Sequence, residues 1–384
     1  IRGSNTLGNN NPLIVIDGIA NRSMDRLSSS DIESITVLKD ASAAIYGAQA
    51  ANGVILITTK RGVEGKPKIT INVNQGWTMP TVLPQMADAA TYAQMINEIN
   101  YYDGLPPKYS AEEIQKYKDG SDPWNFPNTD WYGVTMKKAS SQNFANLDLR
   151  GGSASVKYYV SLGGNFQDGI YKNSATNYKQ ANFRSNIDAT ITQNIKLSLD
   201  VAGRQETRNY PTRSASNIFS MLMRGYPVAH AYWPNGLPGP DIALGNNPVV
   251  ITTSMTGYDK QKDYIMESVI KLDINIPWVK GLSFASNISF DKNIRNEKLW
   301  ETPWYLYVWD GVSYETDNTP LLSKALRGLP SPQLTQGMTD GNRTTLNALI
   351  NYTRSFDNTH NIRILVGSER ISGESMNFEA FRKY

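Results

Sequence analysis

The chain has 384 residues, 38 of them basic and 35 acidic, for a formal net charge of +3. That balance gives no reason to expect a nucleic acid as partner. With no cysteine there is no disulfide framework and no thiolate chemistry. No uninterrupted apolar run of about 18 residues occurs, so no transmembrane helix is expected, although the alternating strands of a barrel escape that test.

The first elements are legible one by one. Leu13 to Ile16 is an apolar run stopped by Asp17-Gly18, a strong turn dipeptide. Ile32, Ile35, Val37 and Leu38 mark a second strand. Asp40 is placed to cap a short helix over Ala41 to Ile45, where alanine is the best helix former. Gly47 suits the left-handed residue that ends such a helix. Asn52-Gly53 marks a turn, and Val54 to Ile57 reads as a strand buried on both faces. Any small α/β unit carries the same local signals.

After Gly62 the pattern changes to period-two alternation. Ile69, Ile71 and Val73 oppose Thr70, Asn72 and Asn74. Val156, Tyr158, Val160 and Leu162 oppose Lys157, Tyr159 and Ser161. Leu197, Leu199 and Val201 oppose Lys196, Ser198 and Asp200. Counting such runs predicts nine strands. The expected connections alternate between short ones (near 151–155, 192–194, 277–281 and 357–359) and long ones (78–142, 168–179, 208–262 and 294–341). Outer-membrane barrels show that asymmetry, with tight periplasmic turns and long outer loops. A plugged lumen needs about 22 strands, more than roughly 320 residues supply at ~10 residues per strand plus connections.

Three blocks carry a family resemblance. They are Ile1-Arg2-Gly3, Pro12-Leu13-Ile14-Val15-Ile16-Asp17-Gly18, and Val37-Leu38-Lys39-Asp40 through Tyr46-Gly47 to Asn52-Gly53-Val54-Ile55-Leu56-Ile57. In this order they closely resemble the second half of the plug domain of SusC/RagA-like TonB-dependent outer-membrane transporters. Farther on, Asp122-Pro123, Pro127-Asn128-Thr129-Asp130-Trp131 and Gly151-Gly152-Ser153 look like recurring features of that family. The resemblance implies a mainly β fold: half of a small α/β plug over 1–62, then the first part of a transmembrane antiparallel β-barrel over 63–384. Arg2, Asp17, Gly18, Lys39, Asp40, Tyr46, Gly47, Asn52 and Gly53 would be structural plug positions. Because Ile1 already stands inside the first block and no signal peptide precedes it, the sequence reads as cut at both ends.

The resemblance also implies a function: uptake of oligosaccharides or peptides across the outer membrane of Bacteroidetes-type bacteria. A SusD-like surface lipoprotein would close over the barrel. The TonB-ExbB-ExbD complex would supply energy through a segment absent here, and outer-membrane lipid would surround the wall. Rival readings are a siderophore or cobalamin receptor, and a soluble β-rich binding or adhesion protein.

The residues carry no convincing enzyme chemistry. His230 and His360 lie far apart and are expected to be solvated, so no Ser-His-Asp arrangement forms. No zinc spacing or phosphate loop is present, and Gly62 to Lys66 reads as a linker. Asp119, Asp122 and Asn125 lack the spacing of a calcium loop and are expected to be ordinary loop residues. No cofactor or metal is expected. The aromatics of the long connections are the candidates for binding cargo: Trp124, Trp131, Trp300, Trp304, Tyr305, Tyr307 and Trp309. Sugar rings present C–H faces that stack on aromatic rings. The same residues would serve equally as membrane-interface girdle or as packing within the loops.

Overall fold

The computed structural model describes residues 10–39, 43, 46–47, 49–174, 176–356 and 360–384. Arg2, Asp40 and most of the expected 41–45 helix lie outside these residues. The N-terminal part is a four-stranded sheet in the order β2-β1-β4-β3, built from β1 (Leu13–Ile16), β2 (Ile19–Ala20), β3 (Ile32–Leu38) and β4 (Val54–Thr59). β1 and β2 form a hairpin across Asp17-Gly18, where φ is +51° and +88°. Two successive positive φ values are what a two-residue turn with the native strand twist requires. Asp17 then accepts hydrogen bonds from Thr59 N at 2.9 Å and Thr59 Oγ1 at 2.8 Å, tying the turn to the end of β4. β4 is a central strand, parallel to β1. Val54 and Ile57 in it are fully buried and Ile55 and Leu56 only partly, so the expected burial on both faces holds in part. Gly47 and Gly53 have φ of +69° and +89°, and Tyr46 packs on the small core of Leu13, Val15 and Val54.

The rest forms a nine-stranded antiparallel sheet, part of a barrel wall. In order from one edge it comprises β5 (Gly65–Thr78), β6 (Ser140–Gly152), β7 (Val156–Asp168), β8 (Asn177–Thr192), β9 (Ile195–Tyr210), β10 (Gly257–Asn275), β11 (Leu282–Glu301), β14 (Gln333–Phe356) and β15 (His360–Lys383). Between β11 and β14, β12 (Trp304–Tyr314) and β13 (Pro320–Arg327) pair as a separate hairpin. All nine alternating runs are strands of the sheet, most of them longer than expected. Burial on this sheet is inverted relative to a soluble protein. Leu162, Ile187, Leu199 and Ile288 are 36–55% exposed, whereas Ser161, Asn186, Asp200 and Ser289 beside them are at most 3% exposed. The polar face is covered by the N-terminal sheet and the apolar face is bare.

Two expectations about connections need correction. The 168–179 connection shrinks because β8 begins at Asn177, and the 294–341 stretch, expected to lack strands, contains β12 and β13. The β5–β6 connection holds α1 (Ala89–Tyr102), α2 (Ala111–Asp119) and α3 (Trp131–Thr135). α2 starts with a capping box between Ser110 and Glu113 and ends at Gly120 with φ of +67°. The β9–β10 connection holds α4 (Ala215–Arg224) and α5 (Pro248–Ile251). All four outer connections contribute to one core: Trp131 and Met136, Tyr171, Leu222 and Val250, and Trp304 and Leu306.

Candidate functional site

Two regions concentrate specific side-chain chemistry. One is the set of contacts between the N-terminal sheet and the wall, and the other is the outer connections. The first rests on the polar face of the wall. Asp31, at the entry to β3, is 3% exposed and accepts from Tyr159 Oη at 2.9 Å and Ser161 Oγ at 2.6 Å, both on β7. Arg184 of β8 lies 3.4 Å from the other carboxylate oxygen and 3.9 Å from Asp17. Arg22 makes a bidentate contact with Asp291 of β11, at 2.5 and 3.2 Å, and donates to Ser268 O. Arg61 reaches Asp188 at 2.7 Å and Asp200 at 2.6 Å, and Lys271 also pairs with Asp200, at 3.1 Å. Asn186 donates to Thr59 Oγ1 and Lys60 O. Desolvating such charges costs several kcal/mol per ion, which paired geometry offsets. A polar interface of this kind gives position and register with little net adhesion.

The outer connections divide the seven candidate aromatics. Trp131 and Trp304 are each 3% exposed and face the loop core. Trp131 Nε1 donates to Tyr226 O at 2.9 Å and Trp304 Nε1 to Gly245 O at 3.2 Å. Their faces are covered by protein, so in this conformation they pack the loops. Tyr305, Tyr307 and Trp309 alternate with Trp304, Leu306 and Val308 along β12 and lie on the other face of the hairpin. Lys324 Nζ stands 3.8 Å from the Tyr305 ring centre, and Tyr314 meets the Trp309 ring edge-on at 5.3 Å. Trp124 lies 6.0 Å from Trp233. Trp300 falls in register with the outward apolar residues of β11, against Tyr384 at 5.4 Å, the place of a girdle aromatic. A large cavity, about 800 Å³, lies in the β5–β6 connection and is lined by none of the seven.

His230 corrects the expectation of a solvated residue. It is 8% exposed, stacks on Trp233 at 3.9 Å, and its Nε2 sits 3.1 Å from Pro123 O. Trp233 Nε1 in turn donates to Tyr307 O at 2.9 Å, so three connections meet at this pair. Burial pushes the His230 pKa below its ordinary value, outweighing the hydrogen bonds to Pro123 and Trp124 carbonyls. A base depressed in the folded state contributes its full stability above the unfolded value of about 6.5 and loses it as pH falls toward the folded value. Tryptophan fluorescence is therefore expected to report loosening of the loops below about pH 6.5, an effect absent from His230→Gln. An identical pH profile in that variant would contradict this role. The Asp119 and Asp122 carboxylates bind local turn groups, Ser121 N and Asn125 N, as ordinary loop residues do.

Comparison with known proteins agrees with this architecture. Residues 1–54 match the TonB-dependent receptor plug domain. TonB-dependent receptor P26 of Formosa agariphila is 30% identical over 83% of the chain and 32% of its own length. TonB-dependent receptor SusC of Bacteroides thetaiotaomicron is 28% identical over 65% of the chain and 26% of its own length. The chain thus spans about a third or less of these curated relatives. The RagAB peptide importer in its closed-closed state superposes with a TM-score of 0.71 over 98% of the chain and 42% of that protein, at 21% identity, which shows the fold alone. A polar-faced barrel wall seated on a plug defines the class of TonB-dependent receptors. Within that class the chain is similar to SusC.

Proposed function

We propose that the protein takes up oligosaccharides or peptides across the bacterial outer membrane in a TonB-dependent cycle. Residues 1–62 serve as plug and 63–384 as barrel wall. A SusD-like lipoprotein closes over the outer connections, and the TonB-ExbB-ExbD complex supplies the energy that displaces the plug. The observation that carries this reading is the inverted burial of the sheet, apolar outward and charged inward onto a separately folded plug. Lipid satisfies the apolar face, and the polar face lines the path. Deletion of the gene is expected to abolish uptake of the cargo, and collapse of the proton gradient to do the same in the wild type. Uptake independent of both would contradict the reading.

Two residue-level outcomes follow. Leu199→Arg puts a charge on the lipid face of β9, four positions in from the inner end of the strand, and is expected to cost about 2–4 kcal/mol of barrel stability. Ser198, on the other face, is no neutral control, because its hydroxyl donates to Asp188 at 2.6 Å within the Arg61 contact. A cost below about 1 kcal/mol at Leu199 would argue against lipid there. For cargo, the hairpin face of Tyr305, Tyr307 and Trp309 is the favoured platform, with Trp124 beside it. Tyr305→Ala with Trp309→Ala is expected to weaken cargo binding while the amount of folded barrel stays the same. Unchanged affinity would remove this face from the binding site.

A further inference from the structure

At the outer end of β7, β8 and β9 a cavity of about 410 Å³ opens, its lining including Gln167, Asp168, Thr176, Tyr178, Arg208 and Tyr210 together with the amides of Asn177 and Asn209. Its volume lies in the range of small-ligand sites. Both charged groups in the lining are already neutralised. Asp168 pairs with Lys137 at 2.5 Å. Arg208 pairs with Asp263 at 2.9 Å and with Glu206, both carboxylates at least 94% buried. Clamped in this way, the Arg208 guanidinium lies over the Tyr178 ring, 5.4 Å from its centre. Among the described residues, no aliphatic side chain lines the space.

This inventory selects a ligand. Among the described residues, an anionic ligand finds no uncommitted cation in the lining, and an apolar peptide side chain finds no greasy pocket. Amides and hydroxyls offer both donors and acceptors, and the exposed Tyr210 ring offers a flat apolar face. That combination suits a ring that carries hydroxyls around its rim and C–H bonds on its faces. We propose that this cavity is a subsite for the pyranose units of a neutral oligosaccharide. The inference rests on the uptake reading above and narrows its cargo from glycan or peptide to uncharged glycan.

The position of the subsite fits a station on the way to the plug. Tyr178 Oη donates to Gln180 Oε1 at 2.9 Å, and Gln180 Nε2 donates to Asn182 Oδ1 at 3.0 Å, a ladder running down the inner face of β8 toward Arg184 and Asp31. Arg204 donates both to Tyr178 Oη at 3.2 Å and to the carbonyl of Asp25 in the plug, at 2.8 Å. One side chain therefore separates the subsite from the plug.

The test is calorimetric titration of the whole protein in detergent with neutral gluco-, xylo- and manno-hexasaccharides, an oligogalacturonate and an unstructured hexapeptide. At least one neutral hexasaccharide is expected to bind. Its dissociation constant should rise about tenfold or more in Tyr210→Ala, a substitution at an exposed ring that leaves the fold intact, and further in Tyr178→Phe/Tyr210→Ala. Binding of the neutral sugar unchanged by these variants overturns the subsite, as does binding of the galacturonate or peptide alone, or of no probe. Uptake by cells separates the two levels. If the gene deletion leaves uptake intact, the transport reading fails; if deletion abolishes uptake but Tyr210→Ala does not slow it, the subsite alone fails.

Discussion

Asp31→Ala is expected to unseat the plug from a wall that remains assembled. The Asp31 carboxylate is buried and collects three groups of the wall: the Tyr159 hydroxyl, the Ser161 hydroxyl and the Arg184 guanidinium. Without it, Arg184 stays buried and its remaining ion pair is the longer one to Asp17, at 3.9 Å. Breaking a buried pair from one side costs about 3–5 kcal/mol, because the orphaned charge stays desolvated. Tyr159→Phe removes one donor and should cost about 1 kcal/mol. Protease access to the plug, followed through a urea titration of the whole protein, reads both. The Asp31→Ala midpoint is expected well below that of Tyr159→Phe. Equal midpoints for wild type and Asp31→Ala would show that the contact does not seat the plug.

Trp304→Ala is the second large expected effect, and it acts on the opposite end of the molecule. The indole is 3% exposed and sits among residues from the other long connections. The Arg213 guanidinium lies over it at 5.0 Å. Gly328, with φ of +74°, passes so close that a Cβ there would stand 2.0 Å from the ring. Truncating a buried tryptophan costs about 3–5 kcal/mol, from lost transfer energy and the cavity left behind. The outer connections of Trp304→Ala should be cut by protease at concentrations that spare the wild type, with the wall strands unaffected. Trp309→Ala, on the outer face of the same hairpin, should leave protease resistance unchanged. Comparable loss in both variants would mean that the two faces of β12 are not differentiated.

Much of this fold was legible in the sequence, because its strongest determinants are local. The Asp17-Gly18 turn, the β4 run and every wall strand follow from turn chemistry and period two. Asp200 and Tyr159 were assigned to the polar face correctly from alternation alone. What they touch was not legible. Arg184 and Asp31 are 153 residues apart, and Arg22 and Asp291 are 269 apart, separations at which no periodic signal survives. The outer aromatics were the hardest to read, since a tryptophan that stacks on cargo and one that fills a loop core have the same sequence signature. Trp304 and Tyr305 are neighbours with opposite fates, decided by which face of β12 meets Leu222 and Val250. The helices of the β5–β6 connection did leave a signal, Ser110 followed by Glu113 ahead of Ile114, and attention to that capping box would have placed α2. His230 left none: its burial depends on Trp233 and Pro123 arriving from two connections.

The central claim is that the nine-stranded sheet is a membrane-spanning wall with lipid on one face and the plug side on the other. These 384 residues hold no native cysteine, and with any cysteine elsewhere in the protein replaced, one measurement is direct. Single cysteines from Lys196 to Val201, spin-labelled in the whole protein in lipid, report contact with dissolved oxygen or with a water-soluble nickel chelate. Labels at 197, 199 and 201 should be accessible to oxygen and shielded from the chelate, while 196, 198 and 200 should not follow oxygen. Uniform access to the chelate along β9, with no alternation, would contradict the account.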